Sequence, residues 1–175
     1  MKGVKQVIIS FLVFVCCSSL IPSGKEKIKW MTLTEMKMAN EKQAKPILFD
    51  VYTGWCGWCK VMDKDTYGKS NVADYINEHF YPVKLDAESR DSIEFNHIRY
   101  GYNPSLKSNE LAVFLLYGQL AYPTTVFLSS PAGTPAPLQG YMSPNELEAP
   151  LKYYGTGSAA NKSFTEFMQT FSHSW

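Results

Sequence analysis

Residues 50–60 read D-V-Y-T-G-W-C-G-W-C-K, which places Cys56 and Cys59 two residues apart, directly after a short apolar run beginning at Pro46. A pair spaced like this can exchange disulfides, bind a metal, or staple a loop. Structural zinc needs two more ligands, and His79, His97 and His173 show no ligand spacing relative to the pair. A staple across two residues closes too small a loop to stabilise much, because the entropic gain grows with loop length. Soft-metal handling by the two thiolates stays open as a third option, with only two ligands in hand. Redox chemistry is the leading reading of the residues themselves.

The bulk composition fits one compact domain with a real core: 175 residues, 45% of them hydrophobic and 19% charged. Lys and Arg (17) nearly balance Asp and Glu (16), and no basic stripe interleaves with aromatics, so nucleic-acid binding has no support. The N-terminus reads differently from the rest. Lys2 and Lys5 precede the apolar stretch Val7–Val15, and small or polar residues follow at Cys16–Ser19. A basic, then apolar, then small-residue order describes a secretory signal peptide over residues 1–22, ahead of a domain over 23–175. The alternative is a retained membrane anchor, because the uncharged stretch from Gln6 to Gly24 reaches the lower limit for a spanning helix. Lipidation at Cys16 or Cys17 lacks the small residue expected just before the cysteine. With the signal removed only Cys56 and Cys59 remain, in a compartment that permits disulfides.

Along the domain, Thr32-Leu33-Thr34-Glu35 is a capping box opening a helix from Leu33 to about Gln43. Pro46–Tyr52 reads as a buried strand, followed by a helix at the cysteines and a second over Asn71–Phe80. Tyr81–Asp86 is a strand. The segment 87–109 alternates Ile93, Phe95, Ile98, Tyr100 and Tyr102 with polar residues, which predicts short strands or a hairpin. Glu110–Gln119 reads as helix, Tyr122–Leu128 as turn then strand, and Pro137–Tyr141 as its partner strand. Ser143-Pro144-Asn145-Glu146 opens a helix that Gly155 is expected to end. After a flexible connector, Ser163 caps an additional terminal helix (163–172) with Phe164, Met168 and Phe171 on one side. This order implies a mixed sheet covered by helices, an α/β architecture.

Four features together resemble the thioredoxin superfamily over roughly residues 28–154. They are W-C-x-x-C-K at Trp55–Lys60, an Asp six residues before the first cysteine (Asp50), the Lys84-Leu85 pair in the next strand, and Tyr122-Pro123-Thr124 directly before a strand. The wording W-C-G-W-C-K-x-M is similar to secreted bacterial thioredoxin-like proteins. The resemblance implies a thioredoxin-like fold with a central mixed sheet flanked by helices, a cis peptide bond before Pro123, and an insertion at about 87–109 ahead of that loop. Gly57-Trp58 stands where thioredoxin has Gly-Pro, so its redox poise does not transfer.

The same resemblance implies the roles. Cys56 at a helix N-terminus is favoured as a thiolate and is the attacking nucleophile, while Cys59, expected to be the more buried, resolves the mixed disulfide. Asp50, if buried, has its pKa raised and accepts the Cys59 proton, with Lys84 neutralising it across neighbouring strands. Trp55, Trp58 and Tyr122 wall an apolar groove in which Tyr122 and Pro123 receive an extended substrate strand; Trp58 is expected to be exposed. The function implied is an extracytoplasmic (periplasmic) thiol–disulfide oxidoreductase acting on protein substrates with a membrane-bound redox partner, monomeric, with no cofactor and no metal. The alternative is a binding or chaperone module in which the cysteine pair is not essential.

Overall fold

A computed structural model describes residues 27–175; the expected export signal over 1–22, with Cys16 and Cys17, lies outside the described residues. The described chain runs α1 (Leu33–Lys42), β1 (Ile47–Tyr52), α2 (Gly57–Asp65), α3 (Ser70–His79), β2 (Tyr81–Asp86), β3 (Ile93–Phe95), β4 (Ile98–Tyr100), β5 (Tyr102–Asn103), β6 (Ser108–Asn109), α4 (Glu110–Leu115), β7 (Thr124–Leu128), β8 (Ala136–Gln139), α5 (Pro144–Gly155) and α6 (Phe164–Met168). The central sheet has the order β2-β1-β7-β8, with β1 and β2 parallel and the other pairs antiparallel. This is the mixed sheet that the element order implied.

β1 is the centre of the construction. Its side chains alternate between the two faces of the sheet, as the pleat requires. Ile47, Phe49 and Val51 join the core formed with α1, α4 and the 87–109 segment, alongside Val126 and Leu128 of β7. Leu48 and Phe127 turn the other way, into a core with Met62 of α2, Val72 and Ile76 of α3, and Leu147 and Leu151 of α5. Both faces are covered, which is why Pro46–Tyr52 reads as an almost unbroken apolar run. Full burial of side chains such as Leu48 and Phe49 stabilises the fold by about 2–3 kcal/mol each. The strand's only charged residue, Asp50, shares its face with Leu48, toward α2.

The 87–109 segment folds as two small hairpins, β3–β4 and β5–β6. Asn96 and His97 both have positive φ (48° and 62°), the conformation a two-residue hairpin loop demands.

Two expectations need correction. The helix predicted over Glu110–Gln119 stops at Leu115, because Tyr117 takes a left-handed conformation (φ 51°). The Tyr117 N–H donates to the Phe114 carbonyl at 3.2 Å and the Gly118 N–H to the Val113 carbonyl at 2.8 Å, a Schellman closure with tyrosine in the position glycine usually takes. α5 ends at Gly155, as expected; a Cβ there would lie 3.0 Å from the Tyr75 ring and 3.1 Å from His79 Cβ, so the glycine also permits close approach to α3. The cap is Thr156, with Gly157 left-handed beyond it, and Ser158–Ala160 form a 3-10 turn in the expected connector. In α6, which is shorter than expected, the buried residue is Phe167 against Ala149 and Tyr153, whereas Phe164 and Met168 are exposed.

Candidate active site

The turn from β1 into α2 sets the site. Cys56 is the N-cap of α2, with extended backbone (φ −69°, ψ 105°), and its Sγ accepts a hydrogen bond from the Cys59 N–H at 3.0 Å. The Cys56 N–H in turn donates to the Thr53 carbonyl at 3.2 Å. Cys56 and Cys59 form a disulfide with their Cα atoms 5.3 Å apart. The helix N-terminus leaves backbone N–H groups and the positive end of the dipole at Cys56, an environment that favours a thiolate once the bond is reduced. Cys59 was expected to be the more buried of the two. In the disulfide form the two are equally enclosed, 4% and 5% exposed, because the bond holds both against the helix end.

Asp50 is 2% exposed and lies in register with Lys84 on β2 and Thr125 on β7. Burial pushes its carboxyl up, the Lys84 ammonium opposes that, and the Asp63 carboxylate adds to it; the result is a pKa of about 6. Lys84 Nζ stands 3.2 Å from Asp50 Oδ2, but its shorter contacts are to both oxygens of Asp63, at 2.7 Å each. The lysine therefore divides its charge between a buried and a half-exposed carboxylate. Desolvation pulls its own pKa down, and the two carboxylates outweigh it, leaving it raised. The ammonium also lies over the rings of Tyr52 (4.9 Å) and Trp30 (5.4 Å). Tyr67, whose hydroxyl shares a 2.7 Å hydrogen bond with Thr125, completes this cluster; burial first, and then Asp50, raise its pKa well above the ordinary value.

Around the disulfide the surface is aromatic. Trp55 and Trp58 are 68% and 63% exposed. Trp55 meets Tyr122 edge to face at 6.1 Å, and Trp58 meets Tyr141 at 5.6 Å. The Tyr122–Pro123 peptide bond is cis. Trp58, Tyr122, Pro123, Gly140 and Tyr141 line a shallow cavity of about 200 Å³. A larger cavity of about 350 Å³, between α1, the β3–β4 turn and the β7–β8 loop, contains none of these residues.

The residues singled out in the sequence thus fall into two groups. Trp55 and Trp58 are exposed, with half-buried Tyr122 and buried Pro123 lining the cavity beside Trp58, and Asp50 and Lys84 meet inside. Sequence reasoning missed Asp63, Glu88, Tyr141 and Thr53. Asp63 had a usable signal, since it lies four residues after Cys59 on the same helix face. Tyr141 and Glu88 had none, because only tertiary folding brings them to the cysteines. Thr53 is buried, and among the described residues its hydroxyl has no hydrogen-bond partner. Among the described residues no group of three or more His, Cys, Asp or Glu side chains is placed to hold a metal. Among them, too, no helix is long and apolar enough to cross a membrane.

Fold and site together define a thioredoxin-superfamily protein with a Cys-Gly-Trp-Cys pair. The family model described as Thioredox_DsbH, protein of unknown function DUF255, matches residues 17–156, and the chain belongs to that family. A solved structure titled DsbH Oxidoreductase superposes with a TM-score of 0.55 at 16% identity, covering 89% of this chain and 94% of that one. A putative disulphide-isomerase from Bacteroides thetaiotaomicron superposes with a TM-score of 0.52 at 25% identity, covering 79% and 98%. Among curated sequences, an uncharacterized protein from Caenorhabditis elegans, B0495.5, is 34% identical over 50 residues. That stretch is 29% of this chain and only 7% of the relative's length.

Proposed function

We propose that the protein is a thiol–disulfide oxidoreductase that exchanges disulfides with protein substrates outside the cytoplasm. The observation that carries this is the placement of the Cys56–Cys59 disulfide at the N-terminus of α2, beside an exposed aromatic cleft that contains the cis-proline turn. The basic and apolar N-terminal sequence supports an exported protein, and a membrane-bound partner is the natural source or sink of its electrons.

In the reducing direction, the Cys56 thiolate attacks one sulfur of a substrate disulfide. The Cys56–substrate disulfide forms and the substrate's other sulfur leaves as a thiolate. Cys59 loses its proton, attacks Cys56 Sγ, and expels the remaining substrate thiolate; two electrons have passed from the pair to the substrate, whose two thiolates take up protons. The oxidising direction is the reverse. Asp50 is the proposed acceptor of the Cys59 proton, because a carboxyl held near pKa 6 exchanges protons close to neutral pH. Lys84 and Asp63 set how readily it does so.

The test is equilibration of the protein, prepared without residues 1–22, in glutathione buffers, followed by turnover of a disulfide-bonded protein. Exchange is expected in the native chain, with Cys56→Ser inactive and Cys59→Ser accumulating a trapped mixed disulfide through Cys56. A pair that never exchanges with glutathione would replace this reading with that of a binding module.

A further inference from the structure

The 87–109 segment departs from the thioredoxin pattern, and its base is firmly held. The Ala87 N–H donates to the carbonyl of Tyr52, the last residue of β1, at 2.8 Å. The Asn109 N–H (2.6 Å) and the Ser108 hydroxyl (2.9 Å) both donate to the Ala87 carbonyl. The Asn109 side-chain amide donates to the carbonyls of Ser89 and Asp91 at 3.1 and 3.0 Å, and its oxygen caps α4 through the Leu111 N–H. The segment is therefore bolted to the strand that leads into the Thr53–Cys56 turn.

What this clamp presents is Glu88. Its N–H donates to Asp86 Oδ1 at 2.9 Å, and its Oε1 accepts from the indole Nε1 of Trp55 at 3.0 Å. Trp55 rests on Tyr122, whose phenol is raised by burial and further by Glu88 and Asp86, against a hydrogen bond with Ser108. The cleft around the disulfide thus has two unlike walls. One is apolar, formed by Trp58, Tyr141 and Pro123. The other is an exposed indole with a carboxylate at its edge. Among the described residues no Lys, Arg or His closes an ion pair with Glu88 or Asp86.

We propose that the 87–109 insertion selects substrates: Glu88 and the exposed face of Trp55 form a subsite for a Lys or Arg side chain close to the reacting cysteine of an extended peptide, opposite the aromatic pocket that takes an apolar side chain. A cation there gains both partners at once, since a guanidinium lies flat on an indole while a neighbouring carboxylate neutralises it. The contact is made at an exposed site, so its effect is modest and salt-sensitive. Its strength corresponds to about a fivefold preference for a basic over a neutral side chain, and screening shortens its reach to about 3 Å at 1 M salt.

The proposal rests on the oxidoreductase reading, and its test separates the two. The reduced protein, without residues 1–22, is offered an excess of each of three oxidised peptides that differ only in carrying Arg, Gln or Glu beside the cysteine, and the second-order rate constant of the single turnover that oxidises the Cys56–Cys59 pair is measured for each. The expected order is Arg, Gln, Glu, with the Arg-to-Glu ratio collapsing in high salt. In Glu88→Gln the ratio should fall toward one, and in Glu88→Lys it should invert; because each ratio is taken within one variant, any change in overall rate cancels. Equal rates on all three peptides in the native protein, or a ratio unmoved by Glu88→Lys, would overturn the subsite while leaving the oxidoreductase reading intact. Turnover of none of the three would overturn both.

Discussion

Replacing Asp50 with Asn should change how stability depends on pH more than it changes stability itself. The buried carboxyl titrates at about 6 in the folded protein against 3.8 as the ordinary value, a difference worth about 3 kcal/mol. The sign follows from proton counting. Below pH 3.8 Asp50 is protonated folded or unfolded, and the group contributes no pH dependence. Between 3.8 and about 6 the folded chain keeps a proton that the unfolded chain has released, so stability falls as pH rises. Above about 6 the full cost of a buried carboxylate is present. Asparagine does not titrate, and Lys84 still has both oxygens of Asp63 at 2.7 Å. Urea melts of the oxidised native and Asp50→Asn proteins at pH 3.5, 5, 6 and 7.5 give the difference in unfolding free energy at each pH. That difference should move in favour of Asn by about 3 kcal/mol between the lowest and highest pH, whatever its absolute level. A difference flat across the range, or one that moves toward Asp as pH rises, would refute the reasoning that desolvation outweighs Lys84 at this site.

Glu148 is the opposite case. It is fully buried in α5, and although burial pushes its carboxyl up, Lys152 and the Ser174 N–H, then His173 and the Ser174 hydroxyl, hold it down at about 2. Its stabilisation is complete above the ordinary value of 4.5 and is lost as pH falls from there toward 2. Glu148→Gln should cost about 1–3 kcal/mol at neutral pH, from weakened charged hydrogen bonds to the C-terminal residues, and increase hydrogen exchange at Ser174. Gly68→Ala should cost about 1–3 kcal/mol in urea unfolding, because its Cβ would fall 2.5 Å from the Lys64 carbonyl oxygen, where backbone has to move.

How far the sequence carries depends on whether a signal is local. The three capping boxes at Thr32, Ser143 and Ser163 act within four residues, and all three are present as read. The burial of β1 and β7 on both faces follows from apolar runs whose bounding turns are visible in the chain. The end of α4 was hidden because Tyr117, not glycine, adopts the left-handed position, and the hydrogen bond that helps hold it, from its hydroxyl to the Pro135 carbonyl at 2.8 Å, spans 18 residues. Gly155 ends α5 as the composition suggested, but its packing against Tyr75 on another helix could not be read from the chain. At the site, the cysteines stood out in the residues themselves, and Asp50 and Lys84 could be named because they occupy positions of the motifs that resemble the thioredoxin superfamily. Of the residues beside them, Asp63 lies one helical turn after Cys59 and meets Lys84, whereas Glu88 comes from the 87–109 segment and meets Trp55.

Those two contacts point to a division of labour that β1 makes possible. Its α2-facing side carries Asp50 into a cluster in which Lys84 is shared between two carboxylates, the arrangement proposed to govern the Cys59 proton. The end of the strand, at Tyr52, anchors the insertion that brings Glu88 to the cleft, the arrangement proposed to select the peptide that reaches the disulfide. The two are linked through Tyr52, whose ring lies under Lys84 and whose carbonyl holds Ala87, and along the strand from Lys84 to Asp86, which accepts from the Glu88 N–H. Among the described residues, however, no hydrogen bond or ion pair joins Glu88 to Asp50, Lys84 or Asp63, so charge changes at Glu88 should alter substrate preference without moving the pH at which Asp50 titrates. Changes at Lys84 or Asp63 should do the reverse. Independent behaviour of this kind is what additivity predicts for groups that share no partner, and measuring Glu88→Gln, Asp63→Asn and the double variant for both properties would show whether the two stay apart.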